Sequence, residues 1–514
     1  MLEPDAGPPR CPGDALLQHT FSTGPYGTDR HDVADDVTVD LFDGTTFTLS
    51  EHWTGCDSYV FLPDTLTVSA TDATSLWDFS ADIAELVAAS PDNVHYFFVS
   101  RRSNDTTAEV NINAMAERVT DVIDGLDTED AAHWGERLHV VATRAGALDN
   151  WLAGVLQSGV GIGGFAIDRQ QTIRGVGSLA DVTRYTGAAG WPWNDNLAYA
   201  AHEPRRYNYE AARQERLDAE EATVVTLWSG DVLAEFADTT VTLPTAAEMA
   251  AFDTLEIDVT MRCPDFGSIE FSNCGAWDYI ASFFVYDDVA AAWIELGRYI
   301  TSYHREGRLT VDATPMLVHL LAGGSRTFRW SFAPTWNTQP TATWLDLRFT
   351  NGGKGYAPAE GTFLWTGGPF NSAYNTIHAP VDVAIPGDAA RVELWAIITG
   401  HGGATSNCAE FCNHQHEFTV NGNVYLHDHP AIGNDQGCVE EIQNGAVPNQ
   451  WGTWWFGRGG WCPGQQVEPF VADVTGDVTP GATATLGYRG LFFGTDPPDD
   501  SGDIAMVSYL VVYR

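Results

Sequence analysis

The segment Asn407–Phe418, with the sequence NCAEFCNHQHEF, places an acidic residue between two cysteines spaced CxxxC. A disulfide between Cys408 and Cys412 would close a small ring around Glu410 and fix the direction of its carboxylate. A ring of this kind can also serve only to staple a surface loop, which would leave Glu410 solvated. Two further segments bear on the choice: CGAWD at Cys274–Asp278 and GRGGWCPG at Gly457–Gly464.

Together the three segments resemble the peptide-N-glycosidase F family, whose members are amidases that remove N-linked glycans whole. The resemblance spans about residues 224–514 and continues through WIELGRYIT (Trp293–Thr301) and ITGHGGATSNCAEFC (Ile398–Cys412). It implies two antiparallel jelly-roll β-sandwiches side by side. With an α/β domain before them, the expected fold class is mainly β.

The resemblance also implies a site in the cleft between the two sandwiches. Asp278 matches the principal catalytic aspartate of the family, and Glu410 matches its second acidic residue. Arg458 matches an arginine of the same cleft, where it would steady a carboxylate or a substrate carbonyl. Read alone, Asp278 could instead be a turn residue at the start of a strand, and Arg458 could be a partner in a surface salt bridge.

Several residues are expected to contact the glycan. Trp277, Trp336 and Trp461 occupy positions at which the family packs aromatic rings against the chitobiose core, although tryptophan often belongs simply to the hydrophobic core. Tyr279 and His401 stand where the best-known member has an arginine and a tryptophan. These departures affect the expected substrate preference more than the reaction type.

The eight cysteines form an even set, which is typical of a protein exported to an oxidising compartment, so a secreted or periplasmic location is expected. By the family resemblance, Cys263 pairs with Cys274, Cys408 with Cys412, and Cys438 with Cys462. Cys11 and Cys56 remain as a pair by elimination, and the sequence alone proves no connectivity.

The chain is strongly acidic, with 69 acidic and 26 basic residues and a net charge of -43. Such a surface repels nucleic acid and anionic membranes, so neither is an expected partner. No apolar run approaches the roughly 20 residues of a membrane span. The charge is typical of secreted proteins in salty or acidic surroundings, but a GC-rich genome would also produce it. A monomer is expected.

The pattern of apolar residues divides the chain. After an extended arm at 1–30, strands alternate with helices over 31–180, which favours an α/β layer with parallel strands. The order of elements and the hairpin FAIDRQQTIRGVG resemble a thioredoxin-like fold, but Cys56 has no CxxC partner, so we expect no redox activity. A linker is expected at 181–222, followed by sandwiches at 223–365 and 366–514, where short alternating runs replace helical periodicity.

A rival interpretation comes from histidines. His414 and His416 form an H-x-H pair on one face of a predicted strand, and such a pair can bind copper or zinc. Copper monooxygenases share the paired jelly-roll architecture, so a copper-dependent monooxygenase is one alternative function. A non-catalytic glycan-binding protein is another. The preferred interpretation is a peptide-N-glycosidase that acts without a cofactor on N-glycosylated peptides and proteins, with His414 and His416 as part of a polar strand face.

Overall fold

The computed structural model describes residues 8–67, 73–77, 82–158, 161, 163–185, 193–402, 408–499 and 502–514. In this part of the chain, an α/β domain precedes two antiparallel β-sandwiches. The prediction of a mainly β chain is therefore confirmed.

The N-terminal domain contains eleven strands, most of them short, in the part that the structure describes. The strands are β1 (Thr38–Asp40), β2 (Thr46–Thr48), β3 (Ser58–Pro63), β4 (Thr65–Thr67), β5 (Ala73–Ser75), β6 (Val94–Val99), β7 (Leu138–Val140), β8 (Phe165–Ile167), β9 (Ile173–Gly175), β10 (Ala180–Tyr185) and β11 (Trp193–Asp195). The helices are α1 (Asp82–Ala89), α2 (Asp105–Gly125), α3 (Thr128–Gly135), α4 (Leu152–Gln157) and α5 (His202–Ala219), with 3-10 turns at Ala145–Ala147 and Leu197–Ala201.

The central sheet of this domain has the strand order β7-β6-β3-β8-β9. Strands β3, β6 and β7 are parallel, whereas β8 and β9 form the antiparallel hairpin expected from the sequence. Every residue of β3 and β6 is buried, as in parallel strands that are covered on both faces. The strand–helix alternation thus builds an α/β layer, and its classification as thioredoxin-like stays a prediction.

The first sandwich follows directly. Its strands are β12 (Thr223–Leu233), β13 (Phe236–Thr245), β14 (Thr254–Arg262), β15 (Ile280–Asp287), β16 (Ala292–Ile300), β17 (Gly307–Asp312), β18 (Gly323–Ser331) and β19 (Thr341–Thr350), with helix α6 (Ala246–Met249) and a 3-10 turn at Thr314–His319. One sheet has the order β12-β19-β14-β17 and the other contains β13-β18-β15-β16, all antiparallel.

The second sandwich comprises the rest of the chain. Its elements are β20 (Pro358–Pro369), α7 (Tyr374–Ile377), β21 (Val381–Ala384), β22 (Arg391–His401), β23 (His414–Val420), β24 (Asn423–Asp428), α8 (Gly437–Glu440), β25 (Gln465–Gln466), β26 (Phe470–Asp473), β27 (Thr483–Phe492) and β28 (Asp503–Tyr513), with 3-10 turns at Glu441–Asn444 and Thr475–Asp477. Its sheets have the orders β20-β28-β22-β26 and β21-β27-β23-β24. Asn421 and Gly422, at φ 49° and 89°, form the turn between β23 and β24, and positive φ at both positions is typical of a type I′ turn.

The two sandwiches share both backbone pairing and core. Strand β25, from the second half of the chain, adds to the first sandwich by pairing with β16. Trp395 and Tyr509 of the second sandwich lie in the same buried cluster as Trp330 of the first. The jelly-roll classification and the domain boundaries given above stay predictions.

The segment expected to be a linker carries the 18-residue helix α5, whose first turn is buried against both sandwiches. Glu203 binds Arg305 of the first sandwich at 2.9 Å and accepts a hydrogen bond from the side-chain amide of Asn449 in the second, also at 2.9 Å. Arg305 also pairs with Glu270 at 2.8 Å. All four residues are at most 9% exposed, so these charges depend on one another for compensation.

Four disulfides join the cysteines in the expected pairs: Cys11–Cys56, Cys263–Cys274, Cys408–Cys412 and Cys438–Cys462. They indicate folding in an oxidising compartment. Among the described residues, we find no helix with the length and apolar character that a membrane crossing requires.

Candidate active site

The structure brings together three of the residues that the sequence motifs singled out. Asp278 lies just before β15 of the first sandwich, whereas Glu410 and Arg458 lie in loops of the second sandwich. Arg458 is 3.6 Å from a carboxylate oxygen of Asp278 and 3.1 Å from one of Glu410. A single guanidinium therefore bridges two carboxylates that are supplied by different sandwiches.

Backbone hydrogen bonds on both sides hold Asp278 in place. The amide of Trp277 donates to the side-chain oxygen of Gln339 at 2.8 Å, and the amide of Tyr279 donates to the hydroxyl of Thr301 at 2.8 Å. Gln339 is 4% exposed and Thr301 is also 4% exposed, so both anchors are fixed in the interior. Asp278 thus projects from a loop that has little freedom to move.

Glu410 is held by the small ring that Cys408 and Cys412 close. Within the ring, the amide of Phe411 donates to the carbonyl of Cys408 at 2.9 Å. The backbone amide of Gly459 donates to the carbonyl of Glu410 at 2.8 Å and joins the ring to the Arg458 loop. The proposal that the ring orients a carboxylate, rather than only stapling a loop, agrees with this arrangement.

Arg458 is almost completely buried, at 2% exposure. Besides the two carboxylates, its guanidinium donates to the backbone carbonyls of Phe456 at 2.9 Å and Thr453 at 3.0 Å. It is therefore not the partner in a surface salt bridge that the sequence left open. These bonds fix the plane of the guanidinium, which is a requirement for holding two acidic groups at set distances.

Both acidic side chains keep contact with water, because the Asp278 side chain is 17% exposed and that of Glu410 is 19% exposed. Burial raises the pKa of each carboxyl above its ordinary value, and Arg458 opposes that shift in both cases. The charge of Asp278 further raises the pKa of Glu410. The pair therefore accepts protons more readily than free carboxylates do.

Tyr303 is a site residue that the sequence motifs did not reveal. Its hydroxyl hydrogen-bonds to Asp278, an interaction that lowers the pKa of that carboxyl, and to the side chain of Thr453. Burial, together with the neighbouring Asp278 charge, raises the pKa of the phenol well above its ordinary value, so it stays protonated. Tyr303 lies in the loop between β16 and β17, and nothing in its local sequence distinguishes it from a core tyrosine.

Two of the predicted aromatic residues are exposed beside the acidic pair. Trp277 is 52% exposed and Trp336 is 79% exposed, far more than is usual for so large an apolar ring. Tyr279 meets Trp336 edge to face at 6.1 Å and accepts a hydrogen bond from Asn337 at 2.7 Å. These rings form an open aromatic surface of the kind on which sugar faces stack.

Trp461, by contrast, lies inside the protein, and the half-buried His401 packs against it. Trp461 is 6% exposed, its indole N–H donates to the carbonyl of Gly400 at 2.8 Å, and Arg458 lies 4.9 Å from its ring centre. His401 stacks on Trp461 at 5.2 Å and bonds to the hydroxyl of Thr399 at 2.7 Å. The expectation that Trp461 stacks openly on a sugar needs correction, because almost none of its ring surface is accessible; it supports Arg458 instead.

The histidine pair lies outside the acidic site. His414 and His416 are fully buried and face the core of the second sandwich, because alternate residues of β23 point inward. The prediction that this pair belongs to a polar face of the strand is therefore wrong. His429 packs against both rings, and the three side chains form a buried cluster of their own.

Fold and site together define a two-sandwich protein whose water-accessible acidic pair, bridged by an arginine, is of the kind that hydrolases use. Residues 369–511 match the family model for the C-terminal domain of peptide-N-glycosidase F. The chain is also similar to peptide-N(4)-(N-acetyl-beta-D-glucosaminyl)asparagine amidase F from Elizabethkingia miricola. The two sequences are 25% identical over 279 residues, and this aligned region covers 51% of this chain and 73% of that protein.

Solved structures similar to this chain include PNGase F, a glycosylasparaginase from Flavobacterium meningosepticum, at 20% identity and a TM-score of 0.46 over 57% of this chain and 96% of that one. PNGF-II is similar at 12% identity and a TM-score of 0.42 over 59% of this chain and 67% of that one. These similarities support the resemblance to the peptide-N-glycosidase F family that was inferred from the motifs, and the family model itself matches the second sandwich.

Proposed function

We propose that this protein is a peptide-N-glycosidase, an amidase that hydrolyses the side-chain amide of a glycosylated asparagine and releases the intact glycan. The observation that carries the proposal is the bridge from Arg458 to both Asp278 and Glu410. The relative from Elizabethkingia miricola, an amidase by name, supports the same reaction class.

An amide is a poor electrophile, so its hydrolysis requires an activated water molecule and a polarised carbonyl. Asp278 would act as the general base that takes a proton from water. The water oxygen then bonds to the amide carbon, the carbon–nitrogen bond breaks, and the nitrogen leaves as a glycosylamine with the proton that Asp278 returns. The peptide keeps an aspartate in place of the asparagine.

The other side chains would hold the geometry of this reaction. Glu410, whose side chain is 19% exposed, would position the first sugar and the amide, and the buried Arg458 would hold Glu410 in place through their bond at 3.1 Å. Tyr303 would orient the carboxylate of Asp278 through its hydroxyl. Trp277 and Trp336 would provide the surface on which the chitobiose rings stack.

The replacement Asp278→Asn tests the assignment. We expect glycan release from a glycopeptide to stop, while thermal stability at neutral pH stays equal or rises. Burial raises the pKa of Asp278, which means that the ionised carboxylate lowers the stability of the folded state at pH values above that pKa. A neutral amide at this position removes the unfavourable burial of the charge. The control is Asp288→Asn, an exposed carboxylate in the turn after β15, which should leave both properties unchanged.

Mass spectrometry of the glycopeptide in water labelled with heavy oxygen separates the candidate functions. An amidase converts the asparagine to aspartate, loses the glycan and places one labelled oxygen in the new carboxyl group. A copper-dependent monooxygenase would add oxygen from O₂, and a glycan-binding protein would leave the glycopeptide unchanged. Near-normal release by Asp278→Asn would remove the proposed role of that residue.

A further inference from the structure

Three histidines converge inside the second sandwich, away from the acidic pair. His414 and His416 project inward from β23, and His429 follows the end of β24, the neighbouring strand. One ring nitrogen from each of the three side chains lies within 4.8 Å of those of the other two. His414 and His416 have no exposed surface, and His429 is 6% exposed.

The cluster is unusual as a piece of hydrophobic core. The Nε2 atom of His429 has no hydrogen-bond partner among the described residues. Leaving such an atom buried and unpaired is unfavourable, and a core of apolar side chains would avoid this cost.

We propose that His414, His416 and His429 bind one divalent transition-metal ion, zinc or copper, through a nitrogen of each ring. Neutral imidazole is a preferred ligand of both ions. The absence of a carboxylate or thiolate from the group disfavours the harder magnesium and calcium ions, which take oxygen ligands.

The distances within the cluster suit chelation. His414 Nδ1 lies 3.0 Å from His416 Nε2. Two nitrogens about 2.1 Å from one ion at a tetrahedral angle lie roughly 3.4 Å apart, so a small rotation of the rings is enough. The other nitrogen of His416 lies 2.7 Å from the hydroxyl of Tyr488, which would fix the ring as second-sphere partners do in metal sites.

The position of the cluster indicates a structural ion. Catalytic metal sites keep a position open to substrate, whereas these rings are closed off from solvent. His414 is two residues from Cys412, and a Cβ atom at Gly459 would lie 2.3 Å from its Nε2 atom. Gly459 donates to the carbonyl of Glu410, so an ion on His414 would stiffen the backbone that presents the carboxylate.

The test uses the full chain without a polyhistidine tag, stripped with a chelator and titrated calorimetrically with zinc chloride and, separately, copper sulfate. We expect one ion per chain. Replacing a second-sphere partner weakens metal binding by about 10–100-fold, so loss of a ligand in His429→Ala should weaken it at least 100-fold or so. The matched control is His427→Ala, whose half-buried ring packs 4.6 Å from that of His429 but is not in the group.

Failure of the wild-type protein to bind either ion more tightly than about 1 μM would overturn the proposal. Equal affinities for the wild type and His429→Ala would also overturn it. If His429→Ala does not fold, electron paramagnetic resonance of copper-loaded wild type decides: imidazole nitrogen couplings support the site, and a spectrum with oxygen ligands alone refutes it. None of these readouts depends on amidase activity, so the metal site and the proposed function stand or fall separately.

Discussion

Replacing Arg458 by methionine removes the charge between the two carboxylates and leaves most of the side-chain volume. The guanidinium binds Glu410 at 3.1 Å, lies 3.6 Å from Asp278, and makes bonds of 2.9 and 3.0 Å to the carbonyls of Phe456 and Thr453. Methionine keeps the apolar contact with the neighbouring aromatic rings but supplies none of these donors. The substitution therefore isolates the electrostatic role of Arg458.

The expected loss of stability follows from the burial of the three groups. Removing one member of a buried ion pair costs about 3–5 kcal/mol, because an uncompensated charge remains inside. Here the two carboxylates retain 17% and 19% exposure, so water offsets part of the cost, and we expect about 3 kcal/mol at neutral pH. For domains of this size, such a loss lowers the Tm by roughly 6–12 °C.

The pH dependence gives a sharper test. Arg458 lowers the pKa of both carboxyls, so its removal raises both values further. The variant's loss in free energy of unfolding, relative to wild type, is largest where both carboxyl groups are ionised, at pH values above their raised pKa values. It shrinks as the pH falls through those values, because protonated carboxyls need no cation. Calorimetry of both proteins across this range measures the effect, and glycan release should fall by about 100-fold or more.

The control is Arg489→Met, which breaks an exposed pair with Asp496 at 3.2 Å, with side chains 47% and 71% exposed. Exposed pairs contribute about 0–1 kcal/mol, so this variant should unfold close to the wild-type temperature. A loss below about 1 kcal/mol for Arg458→Met, or a deficit that does not change with pH, would refute the view of Arg458 as the counter-charge of the site.

Three further outcomes are expected. Tyr303→Phe removes a hydrogen bond that lowers the pKa of Asp278, so the acid limb of the pH–rate profile should move to higher pH; an unmoved limb would exclude this role. Trp336→Ala removes a ring that is 79% exposed, so KM for glycopeptide should rise while kcat and Tm stay constant, and an unchanged KM would show that no sugar stacks there. Replacing Cys408 and Cys412 by serine opens a very short loop at a cost of about 2 kcal/mol, and activity should fall even well below the Tm, where the protein remains folded.

The acidic site could be predicted from the sequence because the motifs that carry the family resemblance are short and follow one another in a fixed order. CGAWD and CAEFC each place an acidic residue within four positions of a cysteine, and both acidic residues occupy the same site in the structure. The antiparallel sandwiches were predictable for a related reason. Alternation with period two is a local signal, and it survives in strands such as β23, where every second residue is buried.

The features of the site that the sequence did not reveal arise from contacts between segments that are far apart in the chain. Tyr303 reaches Asp278 because a loop after β16 folds back towards the site, and no local pattern encodes that approach. The H-x-H pair was visible, but its burial and the contact of His429 with both rings were not. Which face of β23 turns inward depends on the register of its pairing with β27, and His429 approaches only after a hairpin.

The difference between local patterns and long-range contacts also explains why the sequence predicted only a linker at 181–222. Residues 202–219 form a helix whose polar sequence is typical of a solvent-exposed linker, so its composition does not predict that it is buried. Its charges are nevertheless matched at long range, as with Glu203, which pairs with Arg305 across the domain interface. Arg305 also pairs with Glu270, so removal of the N-terminal region would take away one of the two carboxylates that compensate this arginine. The N-terminal domain and the two sandwiches therefore depend on each other for stability, although the acidic site itself is built from the sandwiches alone.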